Sequence, residues 1–427
     1  YKIMNFFKQL QWRGMIHDFI PGTEDKLKKS LIVGYIGFDP TADSLHIGNL
    51  VQIMTLVHFQ KCGHKPIILI GGATGMVGDP SGKSKERVLL SEKIINQNIK
   101  GIKKQLLKFL DFNCGENSAE IVNNHDWFKD IKILDFIRDI GKYISVNQMM
   151  SKDSVKSRLE SGISFTEFTY QLIQGYDFYY LFKNKNCIIQ LGGSDQWGNI
   201  VSGTELIRKK LKGESYALTT PLIKKSDGSK FGKTESGNLW LDSKKTSPYK
   251  FYQYWLNSSD ADAINFIKIF SLKDKSEIEI LIKTHLKNPH LRILQENLAR
   301  ELTIRVHDEE SYNNAVQVSR ILFGKNTTDE MLNISEKDIL DIFEGVPQHE
   351  ISMNEIINGI NIIELLAQKS KIFKSNGEVM RMLRSNAISI NKKKVNEHKI
   401  INQKDIIGDK YIIIQKGKKN YFLIKLV

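Results

Sequence analysis

Short apolar runs alternate with amphipathic segments through the first 230 residues of the chain. Residues 31–38, 66–70 and 187–191 are rich in Ile, Val and Leu, a composition typical of strands that are buried on both faces. Residues 47–59 carry apolar side chains at positions i, i+3, i+4 and i+7, which predicts an amphipathic helix. This alternation predicts an α/β fold in which helices cover a parallel, Rossmann-like sheet.

The pattern changes twice after this region. Residues 248–323 have helical periodicity throughout, whereas residues 324–352 carry little pattern of either kind. In the C-terminal part, two helical segments precede two apolar runs that flank a glycine-containing turn at 417–420, which predicts a β-hairpin. The sequence therefore predicts four parts: a Rossmann-like domain over 1–235, an α-helical domain over 236–330, a linker over 331–352 and a small α+β domain over 353–427.

Composition places the chain among globular proteins. The hydrophobic fraction is 41% and the mean hydropathy is −0.30, and no stretch of eighteen apolar residues occurs, so we expect no membrane span. Residues 1–10 lack the apolar core and cleavage site of a signal peptide. The three cysteines lie far apart without CxxC spacing, which argues against a disulfide framework or a metal site and favours a reducing, cytoplasmic location.

Positive charge is concentrated near the C-terminus. The formal net charge of the chain is +14, and residues 371–427 contain fourteen Lys or Arg residues against four acidic ones. A compact basic region of this kind is typical of a polyanion binder and favours nucleic acid as a partner. The alternative is a lysine-rich, solvated surface without a specific partner.

One motif joins the end of the first predicted strand to the start of the first predicted helix, in residues 35–49 (YIGFDPTADSLHIGN). A helix N-terminus offers unpaired N–H groups and the positive end of the helix dipole, so His46 is well placed to hydrogen-bond phosphate oxygens. Gly48 leaves room for an adenine ring, and Thr41 adds a hydroxyl. A polar residue that merely caps the helix is the alternative interpretation.

A second glycine-rich segment, residues 70–84 (IGGATGMVGDPSGKS), resembles a phosphate-binding P-loop only superficially. The P-loop pattern requires glycine where Val77 stands, and Pro80 lacks an N–H group. We interpret the segment as a loop that lines a ligand, in which Asp79 accepts hydrogen bonds from an ammonium group while Lys83 and Arg87 contact phosphates. A glycine turn with solvated charges is the alternative.

Three polar residues share one face of a helix predicted over residues 165–182. Tyr170, Gln174 and Asp177 are spaced at i, i+4 and i+7 in otherwise apolar surroundings. They either form a solvated stripe or bind the polar ends of a substrate.

Residues 191–200 (LGGSDQWGNI) follow a predicted buried strand. Gly192 and Asp195 suit a ribose, because a carboxylate at a strand end commonly accepts from a diol. Gln196 directly follows Asp195 in the chain and could bind a carboxyl or amino group. The alternative is a glycine turn in which Asp195 only caps the next helix.

Two lysines, Lys230 and Lys233, flank Gly232 in the motif KFGKT. Lysines in a glycine-containing loop are often only solvated, but such a pair can also close on a triphosphate. If the nucleophile is already a carboxylate, positioning and electrostatic stabilisation of the α-phosphate are sufficient for catalysis. Together with the first motif, this loop points to adenylyl transfer.

Taken together, residues 35–49, 71–83, 164–180, 192–200 and 230–234 resemble those of a bacterial-type tyrosyl-tRNA synthetase, a class I aminoacyl-tRNA synthetase. The resemblance implies a Rossmann-like catalytic domain, a helical anticodon-recognition domain and a C-terminal RNA-binding domain shared with a ribosomal protein, similar to residues 375–395. It implies activation of L-tyrosine by ATP to tyrosyl-adenylate, with release of pyrophosphate, followed by transfer of tyrosine to the 3′-terminal adenosine of tRNA(Tyr).

The same resemblance implies a role for each site residue. The tyrosine site would contain Tyr35 and Asp177 at the phenol, Asp79, Tyr170 and Gln174 at the ammonium group, and Gln196 near the carboxylate. The ATP phosphates would be bound, mostly in the transition state, by Thr41, His46, Lys83, Arg87, Lys230, Lys233 and Thr234. The adenosine pocket would contain Gly37, Asp39, Gly48, Asn49, Gly192 and Asp195. The acceptor stem of the tRNA would contact Lys152, Arg208 and Lys209.

The resemblance implies Mg²⁺ bound with ATP and a second copy of the chain in a homodimer, and it implies neither a protein-bound metal nor an organic cofactor. We expect the dimer interface in residues 127–150. Two family signatures differ here from their usual form. Asn49 stands where histidine is usual, and the lysine loop reads KFGKT, whereas it is usually written with Met and Ser. Two other hypotheses stay open at this point, an RNA-binding protein that has kept the fold without catalysis, and tryptophan rather than tyrosine specificity.

Overall fold

A computed structural model describes the protein over residues 5–81, 88–156, 158, 162–234, 237–323, 336, 339–340, 343, 346–417 and 420–427. The chain divides into two compact units, Tyr1–Lys245 with Asn257–Val306 and Thr246–Leu256 with His307–Val427. The domain boundaries predicted from the sequence cut the chain at other places, and they stay predictions.

A five-stranded parallel sheet lies in the first unit and confirms the predicted Rossmann-like class. In chain order its strands are β1 (Val33–Phe38), β2 (Lys65–Ile70), β3 (Glu120–Asn123), β4 (Cys187–Gly193) and β5 (Tyr216–Thr220). Their spatial order is β3-β2-β1-β4-β5, so the chain moves outward from β1 to β3 and then returns to the other side of β1. In sheets of this kind, ligands bind at the carboxyl ends of the strands beside this point of reversal.

The helices of both units, in chain order, are α1 (Phe6–Trp12), α2 (Thr23–Lys29), α3 (Ile47–Lys61), α4 (Thr74–Val77), α5 (Glu92–Leu106), α6 (His125–Phe128), α7 (Ile133–Asp139), α8 (Val146–Met150), α9 (Asp153–Lys156), α10 (Phe165–Lys185), α11 (Trp197–Leu211), α12 (Pro248–Leu256), α13 (Asp260–Phe270), α14 (Lys275–Lys287), α15 (Ile293–Val306), α16 (Glu309–Phe323), α17 (Met353–Ile357) and α18 (Asn376–Arg384). The helices predicted at 47–59 and 165–182 are confirmed as α3 and α10. Within the parts of the chain described, no helix combines the length and the apolar character needed to cross a membrane.

Helix α3 begins with a complete capping box at the first motif. The ring nitrogen Nδ1 of His46 accepts from the backbone N–H of Gly48 at 3.1 Å, and the side chain of Asn49 accepts from the backbone N–H of His46 at 3.1 Å. The helix is buried over most of its circumference, because it packs on the sheet, on α1 and on α13. Its start is therefore fixed both by its own capping and by tertiary packing.

Arg13 ties the helical segment α13–α15 to the N-terminal part of the first unit. Its guanidinium donates to the backbone carbonyls of Lys268, Ser271 and Lys273, at the carboxyl end of α13. Positive charge is favourable at this end of a helix. Burial lowers the pKa of Arg13 to about 10, and the nearby carboxylate of Glu301 opposes that shift.

Two buried histidines in this region should make the first unit sensitive to acid. Burial lowers the pKa of His58 to about 3 and that of His64 to about 4, whereas an unfolded chain titrates near 6.5. Between these values the unfolded chain binds more protons, so stability is fully present above pH 6.5 and is lost as the pH falls toward 4. We expect a loss of about 1.4 kcal/mol per pH unit for each histidine, from the ordinary proton linkage. Urea unfolding between pH 4.5 and 7 measures this slope, and it should fall by about half in His58→Gln; an unchanged slope would contradict it.

The C-terminal part of the second unit contains a mixed five-stranded sheet. Its strands are β8 (Gln348–Ile351), β10 (Ile388–Ile390), β11 (Lys393–Lys394), β13 (Tyr411–Lys416) and β14 (Asn420–Leu426), in the order β11-β10-β13-β14-β8. Short two-stranded pairings join β6 (Lys233–Thr234) to β7 (Gly237–Asn238) in the first unit and β9 (Ile360–Asn361) to β12 (Ile400–Ile401) in the second. The predicted hairpin is confirmed as the antiparallel pair β13–β14.

One part of the predicted linker is a strand. Residues 348–351, placed in the linker 331–352, form β8 and pair in parallel with β14. The segment Gln-His-Glu-Ile has a single buried apolar residue, Ile351, so its pattern resembles that of a loop. Its extended form depends on the edge that β14 offers, which is a tertiary effect.

Candidate active site

The described residues that the sequence predicts for tyrosine and adenosine lie around the carboxyl ends of β1, β2 and β4, at the point where the strand order reverses. Tyr35 lies within β1, and Asp177 projects from α10. His46 begins α3, and Gln196 precedes α11. The fold therefore brings together segments that are far apart in the sequence.

A buried phenol and a buried carboxylate form one end of the site. The side chains of Tyr35 and Asp177 are each only 1% exposed. The hydroxyl of Tyr35 has no hydrogen-bond partner among the described residues, whereas Asp177 accepts from Asn124 Nδ2 at 3.0 Å and from Trp127 Nε1 at 2.9 Å. Burial raises the pKa of both groups, and the charge of Asp177 raises the pKa of Tyr35 further. The N–H donors of Asn124 and Trp127 oppose the rise in the pKa of Asp177 because they favour its charged form, so the pair offers a neutral hydroxyl and a hydrogen-bonded carboxylate in a dry environment.

Next to this pair, Asp39 is the centre of a hydrogen-bond network. Tyr170 donates its hydroxyl to Asp39 Oδ2 at 2.7 Å, and Thr74 donates to Asp39 Oδ1 at 2.7 Å. Asn124 Nδ2 also donates to Thr74 at 3.1 Å, which connects the network to Asp177. Gly71 is required beside it, because a Cβ at that position would lie 2.0 Å from Asp39 Oδ1. Since the proton of Tyr170 is directed to Asp39, the phenol oxygen is left as an acceptor, which suits an ammonium group.

A second polar cluster lies between the loop after β2 and the start of α11. Gln196 Nε2 donates to Asp79 Oδ2 at 2.7 Å, and the backbone N–H of Ser81 donates to Asp79 Oδ1 at 2.9 Å. Asn199 donates to the side chains of Ser81 and Gln196, at 3.3 Å in both cases. Gln174 has a buried Oε1 atom without a partner in the described part of the chain. Asp79 and Gln196, predicted from separate motifs, are therefore in direct contact.

The start of α3 presents polar groups at the same edge. Because Nδ1 of His46 accepts from Gly48, the neutral ring carries its proton on Nε2 and offers a donor. Asn49 uses its oxygen in the capping box, so its NH₂ group is the part available to a ligand. A Cβ on Gly48 would lie 2.8 Å from the His46 ring, which explains why the motif has glycine there. Thr41 is exposed and lies on the loop that precedes the helix.

The lysine loop contacts the start of α3 directly. A Cβ on Gly232 would lie 3.0 Å from Ile47 Cγ1 and 3.4 Å from the backbone N of Gly48, and Gly232 has φ +83°. The carbonyl of Gly232 accepts from the N–H of Leu239, whose own carbonyl accepts from the N–H of Ile47, each at 3.0 Å. The two motifs separated by nearly two hundred residues are thus neighbours in the fold.

The same loop is attached to α13 by an aromatic side chain. The ring of Phe231 lies 5.1 Å from that of Phe266 and 5.6 Å from that of Phe270. Lys230 is exposed, and its backbone forms a bridge with Lys224. The side chains of Lys233 and Thr234, and the whole of Lys83 and Arg87, lie outside the described residues, so their predicted roles stay predictions.

Gly37 and Gly192, two of the residues predicted for adenosine, lie in β1 and β4 near the carboxyl edge of the sheet. A Cβ on Gly192 would lie 3.1 Å from Ile200 Cδ1, and one on Gly193 would lie 2.6 Å from Asp195 Oδ1. A Cβ on Gly37, in β1, would lie 3.8 Å from Leu69 Cδ2, an ordinary van der Waals contact, so this position does not require glycine for space. This edge therefore combines bare backbone with the carboxylate of Asp195.

Four side chains that the sequence motifs did not identify belong to this region. Asn124 and Trp127 hold Asp177, as described above. Gln190 pairs in register with Tyr35, and Gln52 lies on α3; each has a buried Oε1 atom without a partner in the described chain. No sequence pattern pointed to any of them, because they depend on strand register and on a short turn after β3.

Of the residues predicted to contact the acceptor stem, Lys152 packs beside Gly198 at the start of α11, whereas the other two lie at the far end of that helix. Lys152 lies just before α9, and burial lowers its pKa. Arg208 and Lys209 lie in the last turn of α11, where Arg208 pairs with Glu205 at 2.8 Å and Lys209 Nζ donates to the carbonyl of Tyr143 at 2.9 Å. Their predicted contact with nucleic acid stays a prediction.

The chain is similar to known proteins over nearly its whole length. A family described as class I tRNA synthetases (W and Y) matches residues 27–324, and the C-terminal domain of SYY-like tyrosine–tRNA ligases matches residues 338–424. Tyrosine–tRNA ligases of Bacteroides fragilis and Flavobacterium psychrophilum are 56% and 57% identical, over 99% of this chain and 99% of theirs. The crystal structure of a C-terminally truncated mitochondrial tyrosyl-tRNA synthetase from Aspergillus nidulans is 30% identical, with a TM-score of 0.68 over 75% of this chain and 94% of that chain.

Proposed function

From the premise that this chain belongs to the class I tRNA synthetases, and among them to the tyrosine–tRNA ligases, we propose how its residues carry out tyrosine–tRNA ligation. In the first step, a carboxylate oxygen of tyrosine attacks the α-phosphorus of ATP, and pyrophosphate leaves. In the second step, a ribose hydroxyl of the terminal adenosine of tRNA attacks the acyl carbon, and AMP leaves. The nucleophile of the first step needs no protein base, because the carboxylate is already ionised at neutral pH.

The observation that carries the assignment of tyrosine is the hydroxyl of Tyr35, which has no hydrogen-bond partner in the described part of the chain and lies beside the carboxylate of Asp177. A buried polar group without a partner is unfavourable unless a ligand supplies one. A substrate phenol would supply the missing partner, since it would accept from Tyr35 and donate its own hydrogen to Asp177. The indole ring of tryptophan offers only a donor, so it would leave the O–H of Tyr35 without an acceptor. This argues against tryptophan as the substrate.

The other end of tyrosine fits the remaining polar groups. The ammonium group would donate to the oxygens of Asp79, Tyr170 and Gln174, each of which offers an acceptor. Gln196 Nε2 donates one hydrogen to Asp79 and would direct its second N–H toward the carboxylate of tyrosine. This arrangement turns the carboxylate toward the start of α3, where the α-phosphate would lie.

The ATP half of the site is formed where the two signature loops meet. The adenine would lie on the bare backbone at Gly48, and the ribose hydroxyls would donate to Asp195 next to Gly192. His46 Nε2 and the hydroxyl of Thr41 would bind the phosphates, with Lys83, Arg87, Lys230, Lys233 and Thr234 completing the set. Mg²⁺ would enter bound to the phosphates of ATP, as is usual for this ion.

We propose tRNA(Tyr) as the macromolecular substrate of a cytoplasmic enzyme. Lys152, Arg208 and Lys209 would contact the acceptor stem, and the basic C-terminal region would hold another part of the RNA through its phosphates. The electrostatic share of that binding should weaken with added salt.

We also propose a homodimer whose interface includes residues 127–150. Ile133, Leu134 and Ile137 on α7 are 73%, 76% and 57% exposed, an arrangement typical of an interface and unfavourable in water. Leu134→Asp should therefore weaken self-association by about tenfold or more, because a charge would be buried at the contact. Sedimentation velocity measures the dimer fraction. Ile280→Asp, at a residue 63% exposed on α14, is the matched control, and an equal effect of both variants would contradict this interface.

The experiment that tests the function is ATP–pyrophosphate exchange with each of the twenty amino acids, followed by charging of tRNA(Tyr). Exchange with tyrosine alone is the expected result. Exchange with tryptophan alone would transfer the assignment to the other branch of the family. Folded protein that binds RNA but exchanges with no amino acid would leave only the RNA-binding hypothesis.

A further inference from the structure

Helix α5 has a polar inner face that no step of the reaction uses. Asn98, Gly101 and Gln105 are spaced at i, i+3 and i+7, so they share one side of the helix. Asn98 is 5% exposed, and it lies among buried apolar residues such as Ile95 and Ile102. A buried amide is unfavourable unless it is hydrogen-bonded, so its partners indicate what this face does.

All three residues contact a single loop, residues 40–45. Asn98 Nδ2 donates to the carbonyl of Pro40 at 2.9 Å. Gln105 Oε1 accepts from the N–H of Leu45 at 2.8 Å, and Gln105 Nε2 donates to Ser44 Oγ at 2.9 Å. Helix α5 therefore forms hydrogen bonds with both ends of the loop.

Gly101 lets the helix approach the middle of the same loop. A Cβ at Gly101 would lie 2.0 Å from the carbonyl oxygen of Asp43, so only glycine permits this packing. The loop is consequently held at its start, middle and end by three residues on one helix face.

The segment that follows the lysine loop holds the other side. The N–H of Leu241 donates to the carbonyl of Leu45 at 2.8 Å, and the N–H of Asp242 donates to Ser44 Oγ at 3.3 Å. Lys245 forms an ion pair with Asp43. The loop 40–45 is thus clamped between α5 and residues 241–245.

The loop 40–45 contains one residue predicted to bind the phosphates of ATP and directly precedes another. Thr41 lies within it, and the residue after Leu45 is His46, the N-cap of α3. Displacing reacting groups by about 1 Å can reduce an enzymatic rate by about 10²-fold. A helix that fixes the loop therefore fixes the donors that would meet the phosphates of ATP.

We propose that Asn98 and Gln105 are positioning residues for the ATP half of the site, acting through the backbone of residues 40–45. This inference rests on the proposed function of Thr41 and His46. It assigns α5 no contact with tyrosine, whose phenol and ammonium partners lie on β1, α10 and the loop after β2.

The test compares two pairs of substitutions on the same helix. Gln105→Met and Asn98→Ala remove the hydrogen bonds to the loop, whereas Gln97→Met and Asn96→Ala make the same changes at exposed positions of α5. The measurements are tyrosine-dependent pyrophosphate exchange over a range of ATP concentrations, the Kd for tyrosine from equilibrium dialysis, and the midpoint of thermal unfolding. Wild-type exchange with tyrosine, measured first, tests the proposed function separately.

We expect kcat/KM for ATP to fall about tenfold or more in the two inner-face variants, with the Kd for tyrosine within about twofold of the wild-type value. Gln105→Glu keeps an acceptor for the N–H of Leu45, so it should restore most of the activity. The outer-face controls should match the wild type. If Gln105→Met does not fold, Asn98→Asp takes its place. This change puts a carboxylate next to the carbonyl oxygen of Pro40, and the two acceptors repel each other.

Two results would overturn the inference. In the first, the inner-face variants are folded and use ATP as well as their controls do. In the second, the affinities for tyrosine and ATP fall together with thermal stability, which is the signature of a purely structural role. Both results are distinct from failure of the proposed function, which would remove exchange from the wild type itself.

Discussion

Asp177→Asn should reduce kcat/KM for tyrosine in pyrophosphate exchange by about 100-fold or more. Asn124 and Trp127 donate to different oxygens of Asp177. Whichever way an amide is placed in this position, its NH₂ group faces one of those two donors. The variant therefore loses a charged acceptor for the substrate phenol and leaves a buried donor unpaired, and each loss amounts to about 1.5–3 kcal/mol. Exchange at saturating ATP over a range of tyrosine concentrations measures the effect.

Asp126→Asn is the matched control for this prediction. It makes the same chemical change one residue from Trp127, at an exposed position on α6. It should leave kcat/KM for tyrosine unchanged. A folded Asp177→Asn protein with nearly normal kinetics would mean that the carboxylate does not recognise the phenol, and the tyrosine pocket would have to be placed elsewhere.

The same pair of residues explains how the enzyme would exclude phenylalanine without a second, hydrolytic site. A site built around a hydroxyl is left with buried, unpaired groups when the hydroxyl is missing, and tyrosine-specific synthetases are themselves the standard example, at about 10⁵-fold. In this chain the penalty would fall on Tyr35, whose hydroxyl has no alternative partner among the described residues, and on Asp177. Asn124 and Trp127 add to it, because they prevent the carboxylate from turning away.

The parts of the fold that could be predicted from the sequence are those with a strong local signal. The strand β1 and the helices α3 and α10 were predicted because their apolar spacing is regular and their ends carry capping residues. The sheet class followed from the alternation of such elements. By contrast, β8 was missed because a segment with one buried apolar residue becomes a strand only through pairing with β14.

The candidate site shows the same division. Residues in motifs, such as His46 and Asp195, were identified because chain neighbours gave them a context. Asn124 and Gln105 were not identified, since their importance comes from what they touch across 50 residues or more of sequence. Residues that orient another residue carry no spacing rule of their own, whereas residues that bind the ligand often share a loop with glycine.

Lys230→Ala should lower kcat for tyrosine-dependent pyrophosphate exchange by about 10²- to 10³-fold, which corresponds to about 2–4 kcal/mol for one lost donor to the transition state. The lysine is exposed, but its loop is fixed beside the start of α3 by Gly232 and to α13 by Phe231. In the proposed mechanism, an ammonium group on such a loop would interact most strongly with the triphosphate when charge has built up around the α-phosphorus. The KM for ATP should therefore change by no more than about threefold. Single-turnover formation of the adenylate, followed over a range of ATP concentrations, separates the two quantities.

Lys244→Ala is the control, because it removes an exposed lysine from the segment that follows the same loop without changing Gly232 or Phe231. It should leave kcat within about twofold of the wild-type value, since exposed charges at this distance are screened by salt. An equal fall in both variants would indicate a general effect of positive charge on ATP binding. A larger KM with an unchanged kcat in Lys230→Ala would place the lysine in the ground-state complex, because binding that is the same in the ground and transition states raises no rate. The predicted loss of kcat at nearly constant KM is therefore the result that makes Lys230 a transition-state group.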